Sequence, residues 1–344
     1  MRSRSLLVGV ILIVCCSIIG FALYAFLSSG AGPKNNLVHA LLPLSRALDK
    51  QVIASTIPQE FTTVWFTDYS GDKVEAVDRA TGNVTWEQIF SFPSIQESGQ
   101  ASNIEFMTIA PNGDPIITTS NGMLIQELNR ASHEVVWQYG LLNQQYCNKC
   151  LHQPKKAYLI NNGTEVLVTD ANNRRVVIIN KATKQIVWEY GHKAVMKDAP
   201  GYLKGNRFAM ALDNQASKIL ISDTLTNKIM IIDRATKQIV WQWEDTGGKW
   251  LQNVFPTQDG TFVAEDHLKN EVFEVNKDGQ VLWKLHQLAD GTTLNYPTDA
   301  VRLGNGNVII SEGGRRRIIE VNPNTGEIVW QFKAAGLPTS IAVE

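Results

Sequence analysis

The sequence predicts an all-β fold: a six-bladed β-propeller with four-stranded blades, preceded by one N-terminal transmembrane helix. Three observations carry this prediction. First, Trp86, Trp137, Trp188, Trp241, Trp283 and Trp330 recur at spacings of 51, 51, 53, 42 and 47 residues. A period of about 40–50 residues marks solenoids, propellers and arrays. Second, each tryptophan closes a version of one phrase: AVDRATGNVTW, QELNRASHEVVW, IINKATKQIVW, IIDRATKQIVW, EVNKDGQVLW and EVNPNTGEIVW. Third, the segments between these phrases read as short β-branched runs split by polar turns. Such spacing argues for strands, and four antiparallel strands per repeat in a radial array is a propeller blade.

The elements follow in chain order. Residues 1–5 carry Arg2 and Arg4, and residues 6–27 are 22 residues without a charge. A bilayer span needs about 20 apolar residues, whereas a cleaved signal peptide has an apolar core of about 7–15. The segment is therefore expected to stay as an anchor. The arginines would remain cytoplasmic and the propeller would face the extracytoplasmic side. Secretion after cleavage near Ser28-Ser29-Gly30 is the alternative. Residues 28–59 read as a linker, within which 37–48 have the pattern of a short amphipathic helix.

Residues 60–344 hold the six blades. In VVIINKATKQIVWEY, one β-branched run precedes a polar turn and another follows it. Gly82, Gly279 and Gly326 stand four residues before their tryptophans, where a hairpin turn needs positive φ. His133, Lys184 and Lys237 take that place in the other repeats. A non-glycine residue there costs about 1 kcal/mol, so these three turns are expected to differ in detail. Upstream lie strands ending in acidic turns, as in EVLVTDANNRRV, KILISDTLTNKI and NVIISEGGRRRI. Before them lie innermost strands such as RFAMALD and YPTDAVRL. A large indole at a fixed point of each blade suits the seam between blades.

Blade one begins near Thr62 and lacks an innermost strand of this kind. The closing LPTSIAVE matches YPTDAVRL, so residues 338–343 are expected to complete blade one and remove an open sheet edge. Residues 51–57 are also strand-like and are the rival for that place.

The first phrase fits a tryptophan-docking motif, A-x-D-x-x-T-G-x-x-x-W, at Ala76, Asp78, Thr81, Gly82 and Trp86. It resembles the repeats of quinoprotein-like propellers. That superfamily includes pyrroloquinoline quinone (PQQ) dehydrogenases and an outer-membrane assembly lipoprotein that binds no cofactor. The stretch DANNRRVVIINKATKQIVWEYG is also similar to repeats of arylsulfotransferase-like propellers. The resemblance spans about residues 60–344 and lies in residues that build blades, so it speaks to fold more than to function. Quinoprotein dehydrogenases usually have eight blades, and six are counted here. They often use a vicinal disulfide, whereas Cys15 and Cys16 lie in the hydrophobic N-terminal segment. The catalytic histidine of arylsulfotransferases has no matched counterpart.

The formal net charge is -1 and no basic tract exceeds residues 315–317, so nucleic-acid binding is not expected. The expected partners are the membrane, through the N-terminal helix, and a protein on a propeller face.

Site candidates cluster on the face where loops between blades meet the turns after each blade's second strand. Asp68, Asp170, Asp223, Asp266 and Glu312 lie in those turns. They would either form an acidic ring for a cation such as calcium or cap their own turns, and the caps are favoured. Cys147 and Cys150 form a C-x-x-C pair without a second pair for zinc. Outside the cytoplasm, a local disulfide is the simplest outcome. His152, at the entry to an inner strand, is the best catalytic histidine, and His192 and His267 also fall on this face. Arg207 and Arg317 are candidates to grip an anion, and Trp250 to stack on an aromatic ligand. No residue set specifies PQQ, calcium or another metal, so no cofactor is expected. The function expected is a binding or scaffold module. The alternatives are an arylsulfotransferase-like enzyme moving a sulfuryl group between phenols, with His152 as its catalytic group, and a quinone-dependent oxidoreductase.

Overall fold

A computed structural model describes residues 60–92, 103–144, 147, 149–245 and 250–344. The N-terminal span, the linker and the rival strand at 51–57 lie outside the described residues. No helix among the described residues is long and apolar enough to cross a membrane.

Among the described residues, twenty-four strands form six four-stranded antiparallel sheets. Blade 1 contains β1 (Thr63–Asp68), β2 (Lys73–Asp78) and β3 (Val84–Ile89). Blade 2 is β4 (Ile104–Ile109), β5 (Pro115–Thr119), β6 (Leu124–Leu128) and β7 (Val135–Gly140). Blade 3 is β8 (Pro154–Ile160), β9 (Glu165–Asp170), β10 (Arg175–Asn180) and β11 (Gln185–Gly191). Blade 4 is β12 (Asn206–Ala211), β13 (Lys218–Asp223), β14 (Lys228–Asp233) and β15 (Ile239–Glu244). Blade 5 is β16 (Leu251–Pro256), β17 (Phe262–Asp266), β18 (Glu271–Val275) and β19 (Val281–Leu285). Blade 6 is β20 (Pro297–Arg302), β21 (Val308–Glu312), β22 (Arg317–Val321) and β23 (Ile328–Lys333). The last strand, β24 (Pro338–Val343), pairs with β1 and is the innermost strand of blade 1.

The core sits between blades. Six buried apolar clusters are described, one at each seam. The two-residue period of a strand explains the division. On β10, Val176 and Ile178 face blade 4, while Val177 and Ile179 face blade 2. Both faces are buried, so the middle strands read as continuous apolar runs.

The repeated tryptophans tie the seams. The indole N–H of Trp86 donates to the carbonyl of Arg130 in the next blade at 2.8 Å. Trp137, Trp188 and Trp241 do the same to Lys181, Arg234 and Lys277, each at 2.8 Å. Trp330 of blade 6 donates to Arg79 of blade 1 at 3.0 Å, which carries the pattern across the closure. Trp283 departs, bonding Glu274 of its own blade. There the 286–294 loop folds onto the blade 6 hairpin, with Ala289 N–H donating to the Gly326 carbonyl at 2.9 Å. Cations at the accepting turns add ion pairs back across the seams: Arg79–Glu320, Arg130–Glu344, Lys181–Glu127 and Arg234–Glu165.

The hairpin expectation needs correction. His133, Lys184 and Lys237 have φ of 63°, 53° and 56°, the same left-handed conformation as Gly82, Gly279 and Gly326. Their N–H groups close the turns onto Asn129, Asn180 and Asp233, as Gly82 and Gly326 do onto Asp78 and Asn322, while Gly279 closes a turn one residue shorter onto Asn276. Two of these side chains also cover the preceding blade's tryptophan. His133 stacks on Trp86 at 4.7 Å, and the Lys237 ammonium lies 5.9 Å from the Trp188 ring. Those contacts offset the cost of the backbone conformation.

Candidate binding site at the channel mouth

Every innermost strand changes register near its upper end. A bulge adds residues to one strand and re-aims their side chains. The residues at these shifts are Thr339 and Ser340, Glu105, Lys155 and Lys156, Arg207, Gln252 and Asn253, and Thr298. All are polar or charged, and they come from six blades.

The second strands face these bulges with Thr67, Thr118, Thr169, Ser222 and Ser311. Three of those hydroxyls reach the next blade's inner strand: Thr67 to Glu105 O, Ser222 to Gln252 O and Ser311 to Pro338 O. Blade 5 has Glu265 in this position. Its carboxylate accepts the Asn253 N–H at 2.9 Å, and Asn253 Nδ2 donates onward to Thr298 O at 2.9 Å. Burial, and then the Asp299 charge, push Glu265 well above the usual carboxylate range.

Deeper in the channel, Lys156 Nζ meets Asp299 Oδ2 at 2.7 Å, with both side chains at or below 1% exposure. The ammonium lies 4.4 Å from the Phe255 ring and 5.8 Å from that of Phe208. Asp299 Oδ2 also accepts the Ile341 N–H of β24 at 3.0 Å. Blades 3 and 6 stand opposite in the ring, so this pair spans the axis and closes the channel.

Above it opens a cavity of about 410 Å3, walled by Tyr69, Phe106, Trp250, His267 and Tyr296 with Glu105, Arg207 and Gln252. His267 is edge-to-face with Tyr296 at 5.0 Å and with Trp250 at 6.3 Å. Its Nδ1 lies 2.6 Å from Gln252 Nε2. Burial lowers the His267 pKa and the Arg207 charge acts the same way, against the opposing pull of Asp266. Glu105 is ion-paired with Lys155 and accepts the Ser120 hydroxyl. Burial lowers the Lys155 pKa, Glu105 opposes that shift, and Arg207 adds to it.

Of the residues singled out from sequence, the cavity brings together Arg207, Trp250 and His267. His152 does not line it. Its N–H donates to Asp170 at 2.8 Å, and burial lowers its pKa. His192 packs on Tyr202 at 4.4 Å. Arg317 pairs with Glu312, which also holds Arg315. The acidic residues cap turns rather than facing one another. Asp68 accepts from Gly71 N and Leu337 N, and Asp170 from Asn173 and Arg175. Asp223 accepts from Lys204 N and Gly205 N, Asp266 from Leu268 N and Lys269 N, and Glu312 from Asn295 N. Four of the five thus clip a turn to the loop entering the inner strand. Among the described residues, no group of three or more His, Cys, Asp or Glu side chains is placed to hold a metal. Cys147 and Cys150 form a disulfide, and the Cys150 carbonyl accepts from Asn173.

Fold and site together define a PQQ-type repeat β-propeller, six-bladed and plugged along its axis, with a cavity at one mouth. The chain belongs to the family described as outer membrane protein assembly factor BamB, whose model matches residues 70–217 and again 211–340. None of the curated proteins matches it. Among solved structures it is similar to a Bacteroides caccae protein of unknown function, at 11% identity and a TM-score of 0.59, over 82% of this chain and 98% of that one. It is similar to a streptogramin B lyase at 18% identity and 0.56, over 83% and 85%. Virginiamycin B lyase from Staphylococcus aureus follows at 16% and 0.56, over 84% and 88%. At these identities the likeness is one of fold.

Proposed function

We propose that the protein is a membrane-anchored, extracytoplasmic binding module whose ligand enters the cavity at the channel mouth. The observation that carries this reading is the plugged axis. With Lys156 and Asp299 closing the channel, the cavity is a dead-end pocket of about 410 Å3, within the range typical of small-molecule sites. The family description, an assembly factor, favours binding over catalysis. The uncharged run at residues 6–27 behind Arg2 and Arg4 supports the anchor.

The test uses full-length protein extracted gently from its native membrane. Mass spectrometry identifies what stays bound to the wild type and to Leu337→Trp, which fills the cavity. A species lost from the variant supports the reading. A species held equally by both places binding elsewhere and sinks it. The intact mass of the same sample shows whether residues 6–27 are retained.

One observation favours a second, catalytic reading: an imidazole, His267, and a guanidinium, Arg207, line the same cavity. In sulfuryl transfer from an aryl sulfate to a phenol, Arg207 would hold the charge and His267, rather than His152, would act on the substrate. Turnover of 4-nitrophenyl sulfate that vanishes in His267→Ala would establish it. No turnover by the wild type would dismiss it.

A further inference from the structure

Arg207 is the uncompensated charge of the cavity. It stands at the register shift of β12, half-buried, with its side chain in the cavity wall. Among the described residues, no carboxylate or carbonyl accepts a hydrogen bond from its guanidinium. Glu105, the carboxylate in the wall, turns its Oε2 to both Lys155 and Ser120. The Arg207 charge disfavours the protonated form of both Lys155 and His267. Five arginines elsewhere in this propeller, Arg79, Arg130, Arg175, Arg234 and Arg317, each meet a carboxylate. A half-buried guanidinium without an acceptor leaves a forked set of donors available to an incoming oxyanion.

The rest of the wall is aromatic. Trp250, His267 and Tyr296 meet edge to face, which leaves ring surface available to a flat ligand. We infer that the cavity binds a small planar aromatic anion, its carboxylate or sulfate on Arg207 and its ring against Trp250 and Tyr296. This inference rests on the binding reading above and adds the chemical class of the ligand.

The test is isothermal titration calorimetry on the full-length protein in detergent with three probes: 1-naphthoate, 1-naphthalenemethanol and hexanoate. Naphthoate should bind, the neutral alcohol at least tenfold more weakly, and the aliphatic acid more weakly still. Arg207→Gln should weaken naphthoate by about 10- to 100-fold, the range for a lost hydrogen bond to a charged group, and leave the alcohol unchanged. Arg207→Lys, which keeps the charge but not the fork, should fall between. Trp250→Ala should weaken both aromatic probes. Unfolding midpoints of the variants confirm that they are folded. Equal binding of naphthoate by wild type and Arg207→Gln, or of the acid and the alcohol by the wild type, overturns the inference. Failure of all three probes overturns it as well. If a neutral or cationic species is nonetheless lost from Leu337→Trp in the mass-spectrometric test, the binding reading survives without it.

Discussion

Lys156 and Asp299 meet across the axis of the ring, Nζ to Oδ2 at 2.7 Å, from strands 143 positions apart in sequence. Removing one partner of a buried pair strands the other's charge and costs about 3–5 kcal/mol. Lys156→Met should therefore lower the unfolding free energy by about that amount in urea titrations. Lys156→Met combined with Asp299→Asn should recover most of it, because no buried charge is then left. A double variant as unstable as the single one would show that the two groups are not coupled.

Glu265 gives a pH signature of fixed sign. Unfolded, it ionises around 4.5, while burial holds it protonated to well above that value in the fold. Between those limits the folded protein keeps a proton that the unfolded chain releases, so this group's contribution to stability falls as pH rises. Denaturation from about pH 4.5 upward should show that decline, and Glu265→Gln should remove it. An unchanged pH profile in Glu265→Gln would mean that the carboxyl is charged in place.

Trp188 reports on a seam. Its N–H donates to the Arg234 carbonyl at 2.8 Å, and its ring packs in the cluster between blades 3 and 4. Trp188→Phe keeps most of the packing and should cost about 1 kcal/mol, the net worth of a hydrogen bond. Trp188→Ala should cost about 3–5 kcal/mol. Equal losses in thermal or urea unfolding would assign the whole effect to the hydrogen bond, which both variants lack.

Truncation before β24 removes the partner of β1, the Ile341 N–H that Asp299 accepts, and the Glu344 contacts to Trp65 and Arg130. A stop codon at Gly336 should yield protein that self-associates on size-exclusion chromatography and lacks a cooperative unfolding transition. Native-like unfolding of a monomer would mean that another segment can close blade 1.

The blades were legible because tryptophan, turn and strand recur in the same order six times. The bulges were not, since a register shift changes one or two residues and leaves no periodic trace. They decide which side chains reach the channel mouth, so the wall was read only in part. Arg207 and Trp250 were singled out, whereas Glu105, Gln252 and the pair of lysines were not. His152 was favoured for sitting at a strand entry, but the Asp170 clip takes up its backbone N–H and it stands outside the cavity. The sequence does carry one signal of this layer. Thr67, Thr169, Ser222 and Ser311 each precede an acidic turn residue, and Glu265 stands where a fifth hydroxyl would be. The Lys156–Asp299 pair had no local signal, because topology alone brings opposite blades together.

The pairing of β24 with β1 also sets a schedule for biosynthesis. Residues 338–343 leave the ribosome after all the other strands, so blade 1 waits unfinished while five blades assemble beside it. Throughout that interval the free edge of β1 can recruit any extended chain nearby. Ring closure is thus a late event. A chain that stalls or is cut before it is more exposed to aggregation than one damaged in any loop between blades.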